Sequence, residues 1–169
     1  GLGMKVEDSL KTLTTLPQVD GRVERIETDT NWHAFVDYAH TPDALKKVLR
    51  TLKDLTSGRL IVVFGCGGNR DKEKRPQMGR IASSIADLVI VTSDNPRHEN
   101  PAQIISDIAK GIEGEATYIV DRRSAIRAAI QQLSEQDVLL IAGKGHETYQ
   151  IIGDCHNHFD DRREVLEAL

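Results

Sequence analysis

The run Leu60-Ile-Val-Val-Phe64 stops at Gly65-Cys66-Gly67-Gly68, and that junction constrains the fold more than any other stretch. Five apolar residues, most of them β-branched, bounded by glycine predict a buried strand. The glycines let the backbone take conformations closed to other residues. Arg70, Lys72, Lys74 and Arg75 follow, and then Pro76, which suits the first position of a helix. A strand, a glycine loop and a helix start together make a place for an anion, because unpaired N–H groups point outward there. In an open α/β sheet such places lie beyond the carboxyl ends of the strands.

The rest of the chain repeats this alternation. Short strands are predicted at Arg22–Glu27, His33–Tyr38, Leu88–Thr92, Thr117–Val120 and Val138–Ala142. Thr41 and Pro42 start a helix whose stripe is Ala44, Leu45, Val48, Leu49, Leu52 and Leu55, with Gly58 as its stop. A second helix runs from about Pro76 to Ala86 and turns Met78, Ile81, Ala82 and Ile85 inward. Asn100-Pro101 starts a third, with Ile104, Ile105 and Ile108. Asp121 caps a fourth, with Ala125, Ile126, Ala129, Ile130 and Leu133. Tyr149–Ile152 and Cys155–Phe159 flank Gly153-Asp154 and read as a hairpin. A last helix begins near Asp160, and a short one is expected at Val6–Leu13 before a turn at Pro17. The expected class is α/β, a Rossmann-like, mainly parallel sheet with helices on both faces and an antiparallel hairpin near the C-terminus.

Composition narrows the function. A net charge of −4 argues against a nucleic-acid or membrane-surface partner, which calls for a basic face. No apolar run has the length of a membrane span. Two cysteines, Cys66 and Cys155, make no disulfide framework and fit a reducing, cytoplasmic setting. Cys66 reads as a small buried filler, not a nucleophile, since no base accompanies it. His98, His156 and His158 read as surface residues, and no metal site is expected. The chain opens at Gly1 in mid-pattern, as a piece of a longer chain does.

Polar residues collect after the predicted strand ends: Asp37 and His40, then Arg70, then Asp94, Asn95 and Arg97, then Glu147. In a parallel sheet these ends share one edge. Each group also has a bland reading, as a helix cap, a solvated charged loop or a type I turn. A dinucleotide-binding oxidoreductase is one rival reading. It fails where the fingerprint's last glycine would fall, at Arg70.

Four motifs occur in order: Asp37-Tyr-Ala-His-Thr-Pro-Asp-Ala-Leu45, Gly65-Cys-Gly-Gly-Asn-Arg-Asp-Lys-Glu-Lys-Arg-Pro76, Asp94-Asn-Pro-Arg97 and Gly143-Lys-Gly-His-Glu147. Together they resemble the C-terminal domain of the Mur ligases, and among those the members that add meso-diaminopimelate. Gly21-Arg-Val-Glu24 is similar to the point where the family's central domain hands over to this one. The resemblance implies a division into residues 1–20, the end of a central ATPase domain with its linker, and residues 21–169, the C-terminal domain. It implies ATP-dependent amide ligation in cytoplasmic peptidoglycan synthesis, with Mg2+ and UDP-MurNAc-dipeptide held mostly by other domains. It implies diaminopimelate contacts at Arg70, Asp94, Asn95, Pro96, Arg97, Gly143 and Glu147, and ATP contacts at Arg22, Asp37 and His40. Arg97 is expected to grip the far carboxylate in a two-point bond, while Asp94 and Glu147 take ammonium groups. No catalytic base is assigned. A lysine-adding relative and a non-catalytic amino-acid-binding module remain alternatives. No Gly-x-x-x-x-Gly-Lys-Ser/Thr loop occurs in the 169 residues, so this chain alone is expected to be inactive.

Overall fold

A computed structural model describes residues 21–169; the helix expected at Val6–Leu13 and the turn at Pro17 lie outside them. Strands β1 (Glu24–Ile26), β2 (His33–Asp37), β3 (Leu60–Phe64), β4 (Leu88–Val91), β5 (Thr117–Tyr118) and β6 (Val138–Ala142) form one sheet, ordered β1-β2-β6-β3-β4-β5. Only β1 runs antiparallel to its neighbour; the other pairings are parallel. A separate antiparallel hairpin pairs β7 (Tyr149–Ile152) with β8 (Cys155–His158).

Both faces of the sheet are covered, and the strands show why. Leu60, Val62 and Phe64 pack on one side with Leu45, Leu49, Met78, Ala82 and Ile108. Those partners come from α1 (Pro42–Leu55), α2 (Lys74–Ile85) and α3 (Pro101–Ala109). Ile61 and Val63 point the other way, to Ala125, Ile126, Ala129 and Val165 of α4 (Arg122–Ile130) and α5 (Asp161–Leu166). A strand buried on both faces needs an unbroken apolar run, which β3 and β6 supply. No helix among the described residues is long and apolar enough to cross a membrane.

Two helix boundaries differ from expectation. Helix α2 begins at Lys74, so Pro76 is its third residue, not its first. The first turn has no intrahelical acceptors for its N–H groups, so proline is tolerated there as well. Helix α1 ends at Leu55, and Thr56, in an extended conformation, caps it through its N–H to Leu52 O. Gly58 therefore plays no part in the cap.

The register places the site. Asp37 pairs with Ala142, Ala142 with Phe64 and Phe64 with Val91. The carboxyl ends of four parallel strands thus lie in one row, and four loops rise from the same edge.

Candidate functional site

Those loops enclose a cleft of about 400 Å³, a size that suits a small molecule. His40, Arg70, Asp94, Asn95, Arg97, Gly143 and Glu147 line it, as do Tyr38, Asp71 and Lys74. Pro96 is buried behind them, where its carbonyl would collide with a Cβ at position 68. Only glycine lets the β3–α2 loop approach the β4–α3 loop so closely, and Gly68 N–H completes the contact with Asn95 O at 2.9 Å.

Arg97 stands at φ 51°, the left-handed region, which costs a non-glycine residue on the order of 1 kcal/mol or more. The hairpin holds it there. Arg97 N–H donates to Ile151 O at 3.0 Å, and Gly153 N–H donates to Arg97 O at 2.8 Å. Its Nη1 donates to Gly68 O (3.0 Å) and Asn95 O (3.3 Å). Neither Arg97 nor Arg70 has a carboxylate partner among the described residues. Arg59, Arg75, Arg122, Arg123 and Arg162, by contrast, are each paired with an acid.

The acidic side of the cleft has a centre that sequence reasoning missed. Lys144 is fully buried. Its Nζ donates to Asn95 Oδ1 at 2.9 Å and Tyr149 O at 2.6 Å. It also lies 3.7 Å from Asp94 Oδ1 and 3.6 Å from Glu147 Oε2. Burial pulls the pKa of this ammonium down, while the nearby acids oppose the shift. Asn95 joins the same network. Its Nδ2 donates to Glu147 Oε2 (2.8 Å), and its Oδ1 also accepts from Ile151 N–H (2.9 Å). Gly143, at φ 118°, makes room: a Cβ there would come within 2.9 Å of Asp94 Oδ2. The acids are felt across the cleft, since the Tyr38 phenol pKa is raised by burial first and then by Glu147. The sequence signal for Lys144 was a lysine between glycines at the end of an apolar strand.

The other expected residues divide. His40 is on the rim, its Nδ1 2.8 Å from Tyr38 O, and Lys74 Nζ donates to His40 O at 2.8 Å. Arg22 lies over the Tyr38 ring, 4.9 Å from the centroid. Asp37 does not line the cleft. Its carboxylate accepts from Val23 N–H (2.7 Å) and Ala39 N–H (2.8 Å) and so ties the segment entering β1 to the turn that leaves β2. Cys66 is the buried filler the sequence suggested, with its Sγ 3.7 Å from Met78 Sδ and its pKa pushed up to about 12 by burial.

Residues 21–145 match the sequence profile described as Mur ligase, glutamate ligase domain. The chain belongs to this family. A UDP-N-acetylmuramoyl-L-alanyl-D-glutamate–2,6-diaminopimelate ligase of Clostridium acetobutylicum is 51% identical over 99% of the chain and 35% of its own length. The ligase of the same name from Chlorobaculum tepidum is 52% identical over 99% of the chain and 34% of its own length. A solved structure, also of a ligase of this name, superimposes with a TM-score of 0.84 at 45% identity, over 98% of the chain and 34% of its own. This Mur ligase domain thus spans about a third of the length of the curated relatives it matches.

Proposed function

We propose that this chain is the amino-acid-binding domain of an ATP-dependent ligase that joins meso-diaminopimelate to UDP-MurNAc-L-Ala-D-Glu in peptidoglycan synthesis. One observation carries the reading: two arginines without acid partners and a carboxylate pair line the same cleft. Diaminopimelate carries a carboxylate and an ammonium at each end. Arg97, supported by Arg70, takes the far carboxylate, because a planar guanidinium binds a carboxylate at two points. Asp94 and Glu147 face the ammonium of that end, with Asn95, Pro96 and Gly143 shaping the space between. Lysine would leave Arg97 without its anion, and a buried polar group without its partner discriminates on the order of 10⁴-fold.

ATP, with Mg2+, supplies the phosphoryl group that activates the carboxylate to be joined. Residues 21–169 offer one wall for the nucleotide, from Arg22 and His40 at the rim. Asp37 fits as the group that fixes that wall from behind, since backbone amides occupy both its oxygens. The phosphate loop and the uridine nucleotide site belong to further domains, and residues 1–20 to the end of the central one. The domain alone therefore performs no ligation. The location that follows from its use of ATP is the cytoplasm.

Titration of meso-diaminopimelate and L-lysine into the complete ligase, as wild type and as Arg97→Ala, tests the reading. The wild type is expected to prefer diaminopimelate on the order of 10⁴-fold, and Arg97→Ala to lose most of that preference. An undiminished preference in Arg97→Ala refutes it.

A further inference from the structure

Two acids in the cleft share one internal cation. Lys144 Nζ is 3.7 Å from Asp94 and 3.6 Å from Glu147, and its short bonds go elsewhere, to Asn95 Oδ1 and Tyr149 O. A buried ammonium is tolerated only when its charge and its donors are met, and here both are. Glu147 Oε2 is held by Asn95 Nδ2 as well. Oε1 has no partner among the described residues. Asn95, in turn, ties the same point to the hairpin through Ile151 N–H.

We propose that Lys144 is a positioning residue that sets the specificity of the cleft. Two consequences follow from its geometry. It fixes Glu147 and Asn95 relative to the loop that carries Arg97, so the distance between the acidic and basic poles is constant. It also reduces the charge of the acidic pole from two negatives to one, which matches the single ammonium at the far end of a diamino diacid. With an uncharged residue at 144, two carboxylates would repel each other beside the ligand, and a more cationic amino acid would be rejected less. The inference rests on the reading of the cleft as a diaminopimelate site and adds to it a residue that need not touch the ligand.

The test is steady-state kinetics on the complete ligase. Lys144→Met keeps the unbranched apolar stem, one atom shorter, and removes the charge. The KM for meso-diaminopimelate is expected to rise on the order of 30-fold, the loss typical of a buried charge-assisted contact. The KM for ATP should stay within about twofold, and the preference over L-lysine should shrink. On a Glu147→Gln background the same substitution should add less than about threefold, because the two side chains act as one unit. An unchanged diaminopimelate KM in folded Lys144→Met, an equal rise in both KM values, or full additivity with Glu147→Gln overturns the proposal. A wild-type enzyme with no preference for diaminopimelate overturns the reading beneath it instead. Should Lys144→Met fail to fold, Lys144→Gln, which puts a neutral amide donor in place of the ammonium, is held to the same criteria at about tenfold.

Discussion

Asp107 ties two helices together by charge. It accepts from Lys110 Nζ (2.6 Å), from the fully buried Arg75 Nη1 (3.1 Å) and from Gln103 Nε2 (3.2 Å). Those donors, Lys110 foremost, lower its pKa from the ordinary 3.8 to about 2. A carboxylate lowered on folding stabilises the fold above its unfolded value and loses that contribution as the pH falls through its folded value. Stability should therefore fall from about pH 4 to pH 2. Asp107→Asn should be less stable at pH 6 and show a shallower decline, read from urea midpoints at each pH; an unaltered decline would assign it to other acids. Buried charges of this kind were the least legible residues. Arg122 and Arg123 are neighbours, yet Arg122 is buried in a two-point pair with Asp161 while Arg123 reaches Glu164 from a half-exposed position. Arg75 lies in a run that reads as a solvated charged loop, and Lys144 in one that reads as a strand-to-strand loop with exposed charges. Charged residues are exposed by default, and only their long-range partners say otherwise.

At the level of elements, helix stripes and apolar strands were readable because periodicity is local. The hairpin's turn was readable too, since Gly153 supplies the positive φ of 58°. Its docking was not, because the bridge between Arg97 and Ile152 joins segments 55 residues apart, roughly, in the chain. Asn95 is the hub of that docking, so Asn95→Ala should release the hairpin before anything else. Amide exchange at Ile151 and Gly153 should quicken on the order of 10- to 100-fold. Amides of β3 and β6, paired on both sides, should stay protected. Equal quickening in β3 would mean that the hairpin and the sheet open as one unit.

For the molecule as a whole, the alternation of strand and helix gave the class but not the strand order. Nothing local tells β6 to insert between β2 and β3. The candidate cleft was legible as a set of strand ends, and what united it was the shared register at Asp37, Ala142, Phe64 and Val91. The two hydrophobic cores lie on opposite faces of the same strands, where consecutive residues of β3 serve each in turn. Residues 21–169 should consequently melt in one cooperative transition, with calorimetric and van't Hoff enthalpies equal. Two resolved transitions would show that the faces are energetically separate.

That common register also divides the molecule into a half that reads and a half that is free to drift. Gly114, before β5 and away from the row of strand ends, has nothing within 4 Å of where a side chain would begin. Length changes there alter no spacing between Arg97 and Glu147, whereas one residue added inside β3 or β6 would carry a loop about 3.3 Å along the strand and turn its side chains over. Lineages diverging from this sequence can accumulate insertions at the quiet margin while the opposite one stays nearly fixed, and a purification handle or fluorescent reporter belongs at the former.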